Sequence, residues 1–196
     1  MTAAILLYVL HFSYLGIFVV VFAESGFLLG FFLPGDSLLF TAGLLSSQAI
    51  FNIWILVPLI VIGAILGDSF GYYMGNKLGP KIFVRKDSFF FKQENVEKTN
   101  HFYEKYGVKT IILARFVPIV RTFAPIFAGV GGMKYSTFLS YNVIGGFLWG
   151  AGVTLAGFFL GRAFPGIEHY VTYIIILIIL VSFVPILLEY FKKRKA

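Results

Sequence analysis

The sequence predicts an all-α membrane protein, an inverted repeat in which two opposed re-entrant helical hairpins accompany transmembrane helices and a cytoplasmic amphipathic helix. Three observations predict it. The 196 residues are 59% hydrophobic and 13% charged, with a mean hydropathy of +0.88, well outside the usage of soluble domains. The apolar stretches are interrupted twice by prolines and charges. The basic residues fall into two main blocks, which mark one side of a bilayer. A soluble enzyme, a disordered tail and a nucleic-acid-binding domain are thereby excluded. The net charge of +7 is a topology signal, because eight of the 16 Lys and Arg lie from Lys77 to Lys109 and four more form Lys192 to Lys195. With Cys 0, disulfides, thiolate metal sites and cysteine nucleophiles drop out together.

The apolar stretches run from Ala3 to Ala23, Ser37 to Gly67, Thr110 to Met133, Tyr135 to Gly161 and Tyr170 to Leu188. No Lys or Arg precedes Lys77, so a basic signal-peptide n-region is missing and the chain is read as mature from Met1. Placing the central basic loop inside, three full crossings after it would leave the basic tail outside, against the positive-inside rule. If Thr110 to Met133 enters and returns on one side, the tail stays inside. Pro118 and Pro125 favour that path, since each removes a backbone donor and breaks a helix, and Arg115 and Arg121 would make a lipid-facing span costly. Counting backwards, Phe51 to Tyr73 crosses inward, Ala3 to Ala23 crosses outward and Phe27 to Leu45 dips in from outside. Both termini are then cytoplasmic. A faint echo accompanies the inversion: Phe32-Leu33-Pro34 with Ala42-Gly43, against Phe116-Val117-Pro118 with Ala128-Gly129. Paired broken segments in inverted halves point to a transport site near the midplane. The single domain thus divides into a first half 1–76, a cytoplasmic linker 77–109 and a second half 110–196.

Within the linker, Val96, Thr99, Phe102, Tyr103 and Tyr106 recur at helical spacing and Gly107 offers a stop, which predicts an amphipathic surface helix; a solvated linker is the alternative. Glycines 63, 67, 71, 75 and 79 share one helix face and predict close helix packing. Gly146, Gly150, Gly157 and Gly161, with Trp149, read the same way.

Glu24, Asp36, Asp68, Arg115 and Arg121 lie within or beside apolar segments, where a charge is costly and has to face a partner, protein interior or water. Two internal salt bridges that only pin the halves together are the bland explanation. Pro34-Gly35-Asp36-Ser37 also suits a turn in which Asp36 caps the following helix. Functionally, two guanidiniums converging on one place suit a phosphate, which they grip with forked hydrogen bonds. Glu24, Asp36 and Asp68 are the candidate proton-coupling carboxylates. Apolar burial favours the neutral acid, and a proton taken up outside would free the arginines for a phosphate headgroup; arginines that simply hold the acids ionised are the opposite outcome. His11, His101 and His169 show no metal-ligand spacing and no triad arrangement, so neither metal nor cofactor is expected and an enzyme is disfavoured.

Glu24 with Pro34-Gly35-Asp36-Ser37-Leu38-Leu39, Gly67-Asp68 with Gly71-Tyr72-Tyr73-Met74-Gly75, and Ala114-Arg115-Phe116-Val117-Pro118 with Val120-Arg121-Thr122 together resemble the DedA family of bacterial membrane proteins, over nearly the whole chain. The family's embedded acids correspond to Glu24 and Asp36 and its arginines to Arg115 and Arg121; Pro34, Gly35 and Pro118 are the candidate hairpin residues, and Gly67 and Gly71 the candidate packing residues. The resemblance implies an inverted-repeat transporter in the bacterial inner membrane, distantly related to eukaryotic lipid scramblases. It also implies a polyprenyl phosphate substrate, undecaprenyl phosphate foremost, returned from the outer to the cytoplasmic leaflet with proton linkage. Expected partners are that anionic lipid, protons and the surrounding membrane lipids, with room for a homo-oligomer and without nucleic acid. The rival readings are an energy-independent phospholipid scramblase, an integral-membrane lipid phosphatase, and a structural or assembly protein.

Overall fold

The computed structural model describes residues 2–27, 30, 35–82, 111–112, 115–116 and 118–164. Among these every regular element is helical: α1 (Thr2–Gly26), α2 (Gly35–Ser47), α3 (Ile53–Ile82), α4 (Pro118–Val130), α5 (Tyr135–Gly146), a π-helical segment (Phe147–Ala151) and α6 (Gly152–Ala163). The last three follow one another without a break. Pro34, most of the 77–109 linker with its expected amphipathic helix, His101, His169, the expected span Tyr170–Leu188 and the basic tail lie outside the described residues.

Two runs, Ile53–Lys77 and Tyr135–Ala163, are long and apolar enough to cross a membrane. At 1.5 Å per residue they measure about 38 and 44 Å, against a hydrocarbon core of about 30 Å. Only 33% and 39% of their most apolar windows are buried within the chain, unlike the core helix of a soluble protein. Trp54, 84% exposed, and exposed Tyr73 stand about 28 Å apart along α3, at the spacing of two interfacial aromatic belts. Lys77 Nζ lies 3.2 Å from the Tyr73 hydroxyl and 5.4 Å over its ring, a basic head kept at the polar end of the span. α3 starts because Asn52 Oδ1 accepts from the Trp54 amide at 3.0 Å, a side-chain N-cap. It runs past the expected limit at Tyr73 to Ile82: hydropathy falls after Gly75, yet nothing in Asn76-Lys77-Leu78 breaks a helix.

The chain forms two compact units. The first comprises residues 1–33 and 58–152, and its backbones meet through the glycine face of α3. A Cβ on Gly67 would lie 2.6 Å from the Phe22 carbonyl oxygen, and one on Gly63 would lie 3.2 Å from the Phe18 ring, so this face seats α1. Further along, a Cβ on Gly75 would collide with the Ile126 carbonyl, and one on Gly129 with the Tyr72 carbonyl, so the same face also seats α4. Small residues at this spacing allow such approach. The Phe27 and Phe70 rings, 5.1 Å apart, close the α1–α3 seam. Tyr72 stacks on Phe138 at 4.7 Å and donates its hydroxyl proton to the Met133 carbonyl.

The second unit comprises 34–57 and 153–196. Here α2 and α6 interlock, since a Cβ on Gly43 would strike the Thr154 carbonyl and one on Gly157 the Phe40 carbonyl. Gly157 and Gly161 therefore pack as the sequence predicts.

One expectation is corrected. Pro125 does not break its helix; it sits inside α4, buried, and a Cβ on Gly71 would contact it at 3.5 Å. A proline removes one amide, here the one that would reach the Arg121 carbonyl, and a packed helix absorbs that single loss as a bend. Pro118, by contrast, opens α4, the position at which the missing amide costs no helical bond.

Both short helices end identically. In α2 the Ile50 amide bonds to the Leu45 carbonyl at 3.2 Å and the Ala49 amide to Ser46 at 3.1 Å, with Ala49 at φ 61. In α4 the Met133 amide bonds to Ala128 at 3.1 Å and the Gly132 amide to Gly129 at 3.2 Å, with Gly132 at φ 68. Each is a Schellman cap. Helix start, helix end and left-handed residue (Gly35 and Pro118, Ser47 and Val130, Ala49 and Gly132) are separated by one constant interval, and a long apolar helix follows in both cases.

Candidate buried ion-pair site

Within the first unit, four of the five embedded charges are assembled into two ion pairs. Glu24 lies in the last turn of α1 and Arg121 in the first turns of α4. A negative charge at a helix C-terminus and a positive one at an N-terminus each oppose the helix dipole, by about 0.3–1 kcal/mol. The two misplaced charges are brought together: Arg121 Nη2 donates to Glu24 Oε1, with the side chains 3% and 2% exposed. Gly30 helps to hold Glu24 in place. A Cβ on Gly30 would lie 2.5 Å from the Glu24 Cα. On its other side, Arg121 places its guanidinium carbon 4.4 Å over the Trp149 ring, a cation–π contact. Trp149 is 2% exposed and belongs to the π-helical segment, a local geometry frequent at functional sites.

Arg115 stands in a turn whose amide reaches the Ile112 carbonyl at 3.3 Å. Its Nη2 donates to Asp68 Oδ2 on α3 and to Asn142 Oδ1 on α5. The guanidinium rests where α5 has no side chains: a Cβ on Gly145 would lie 2.8 Å from Arg115 Cδ, and one on Gly146 would lie 3.5 Å from Nη2. Asn142, fully buried, is itself tied to α3, its Nδ2 donating to the Ile65 carbonyl at 3.1 Å and lying 3.4 Å from Ser69 Oγ. Asp68 Oδ1 and Arg115 Nε and Nη1 are buried with no hydrogen-bond partner among the described residues. Arg121 is near enough for its charge to act on both Asp68 and Arg115.

Glu24, Asp68, Arg115 and Arg121 therefore lie in one unit. Asp36 belongs to the second unit, exposed in the first turn of α2, where the helix dipole favours an acid. Gly35 opens α2, and Gly67 and Gly71 serve the α1 and α4 contacts. Among the described residues no group of three or more His, Cys, Asp or Glu could hold a metal ion. Sequence reasoning missed Asn142 and gave Trp149 a packing role only; the available signal was an amide inside the apolar run from Tyr135 to Gly161.

The VTT domain model matches residues 33–159, and Protein DedA of Escherichia coli (strain K12) is 46% identical over 182 residues, 92% of this chain and 83% of that one. The chain belongs to the VTT-domain family, the DedA family. An uncharacterized membrane protein of Mycobacterium tuberculosis (strain ATCC 25618 / H37Rv) is 49% identical over 176 residues, 89% of this chain and 77% of the relative. The inner membrane protein YqjA of Escherichia coli (strain K12) is 32% identical over 149 residues, 76% and 68% respectively. No solved structure matches the chain significantly. Relatives named as membrane proteins, together with two apolar helices of spanning length, make this a DedA-family membrane protein.

Proposed function

We propose that the protein is a transporter that returns a polyprenyl phosphate, undecaprenyl phosphate foremost, from the outer to the cytoplasmic leaflet of a bacterial inner membrane, linked to protons. The observation that carries this reading is the pairing of two buried arginines with two buried carboxylates, Arg121 with Glu24 and Arg115 with Asp68. Buried ion pairs contribute little net stability, whereas arginines that exchange a carboxylate for a phosphate keep their hydrogen bonds and gain a ligand. Protonation of Glu24 or Asp68 weakens its hold on the arginine and lets the headgroup in; deprotonation on the other side expels it. Asp36, in the first turn of α2, is assigned to proton access.

The paired Schellman-capped helices support the inverted repeat. Each of α2 and α4 has 13 residues, about 20 Å, too short for a hydrocarbon core of about 30 Å, as re-entrant segments require. The similarity to the inner membrane protein YqjA supports the inner membrane, and the two basic blocks support cytoplasmic termini.

The test is leaflet-resolved movement of labelled undecaprenyl phosphate by the purified protein in vesicles, with and without a proton gradient. Flux that responds to the gradient is expected. Unselective phospholipid flux indifferent to it would favour a scramblase, and release of inorganic phosphate a phosphatase.

A further inference from the structure

Arg115 is held by two acceptors of different kind. Asp68 neutralises its charge; Asn142 anchors it without neutralising it. The orientation of the Asn142 amide is decided by its surroundings. Its Nδ2 faces the Ile65 carbonyl at 3.1 Å, which only a donor can satisfy, so Oδ1 has to face the guanidinium. Ser69 Oγ, donating to that same carbonyl at 2.7 Å, reinforces the arrangement. Meanwhile Arg115 Nε and Nη1 carry buried N–H groups without a partner among the described residues, donors that an oxyanion would satisfy.

We infer that Asn142 is the positioning residue of this site: it keeps the Arg115 guanidinium on its glycine seat while Asp68 gives way to the oxyanion of a monophosphate headgroup. This rests on the reading that Arg115 receives a phosphate. A second carboxylate at position 142 would cancel the charge the headgroup needs and set an oxygen against the Ile65 carbonyl, and an apolar residue would let the guanidinium leave its seat when Asp68 lets go. Among the described residues, the charges that act on Arg115 are Asp68 from α3 and Arg121 from α4.

The experiment measures affinity of the full chain in detergent for farnesyl phosphate and for farnesol. The wild type is expected to prefer the phosphate. Asn142→Ala and the isosteric Asn142→Asp are each expected to cut that preference by about ten- to a hundredfold, the worth of one charge-assisted hydrogen bond, with farnesol affinity unchanged. A purely structural role would weaken both ligands alike, and Asn142→Asp decides the matter if the alanine variant does not fold. Variants that keep the wild-type preference, or lose both ligands equally, would overturn the inference and leave the phosphate reading standing. A wild type with no preference for phosphate over alcohol would overturn that reading and this one with it.

Discussion

Removing the charge of Glu24 separates a structural salt bridge from a working one. Glu24 and Arg121 are at most 3% exposed, so Glu24→Gln removes one charge of a buried pair, a change that costs about 3–5 kcal/mol. Two compensations remain. Gln still offers an acceptor oxygen, and the Trp149 face at 4.4 Å contributes about 2 kcal/mol in a desolvated setting. The expected loss is therefore about 1–3 kcal/mol. Arg121→Met removes the guanidinium together with its Trp149 contact and should cost more, about 3–5 kcal/mol. The double variant buries no charge at this pair and should return to within about 1 kcal/mol of wild type, giving a coupling of several kcal/mol. Reversible unfolding in mixed micelles, followed by helical circular dichroism, measures all four proteins. Additive single effects would refute the reasoning about the pair. Lipid flux then decides its purpose: a double variant that regains stability but not transport marks the pair as working, and one that regains both marks it as a pin.

Other substitutions probe neighbouring steps. Arg121→Lys keeps the charge but loses the planar fork and its stacking on Trp149; flux should fall at least tenfold in a protein that still folds, and wild-type flux in vesicles would count against phosphate clamping. Gly129→Ala should destabilise by about 1–3 kcal/mol or more in the same unfolding assay, because the new Cβ would meet the Tyr72 carbonyl and lie 2.8 Å from the Asn76 amide, backbone atoms that cannot yield. Ala49→Gly should stabilise by about 1 kcal/mol, since Ala49 holds φ 61 in a region that L side chains enter at a cost.

The embedded charges were legible because each stands out against an apolar background, and a cost that large implies a partner. The glycine face of α3 was legible for a similar reason, a period of four being a packing signal whatever the neighbour. Which acid meets Arg115 was not legible. Spacing along the chain says nothing about a contact between Asp68 and a residue 47 positions away. The end of α2 was also hidden: where α4 signals its cap with Gly132, α2 uses Ala49, which carries no turn signature. Pro125 misled because a proline's local cost was set against no tertiary packing, and here Gly71 packs beside it. The π-helical turn around Trp149 leaves no mark in hydropathy at all.

The chain carries two tryptophans, one exposed at Trp54 and one buried under Arg121 at Trp149. Trp54→Phe makes Trp149 a sole reporter of the place where the headgroup is held to bind. Titrating farnesyl phosphate into that variant should give a saturable change in Trp149 emission that farnesol does not give and that Arg121→Lys weakens. No change, or the same change with the uncharged alcohol, would contradict the assignment of these arginines to a phosphate.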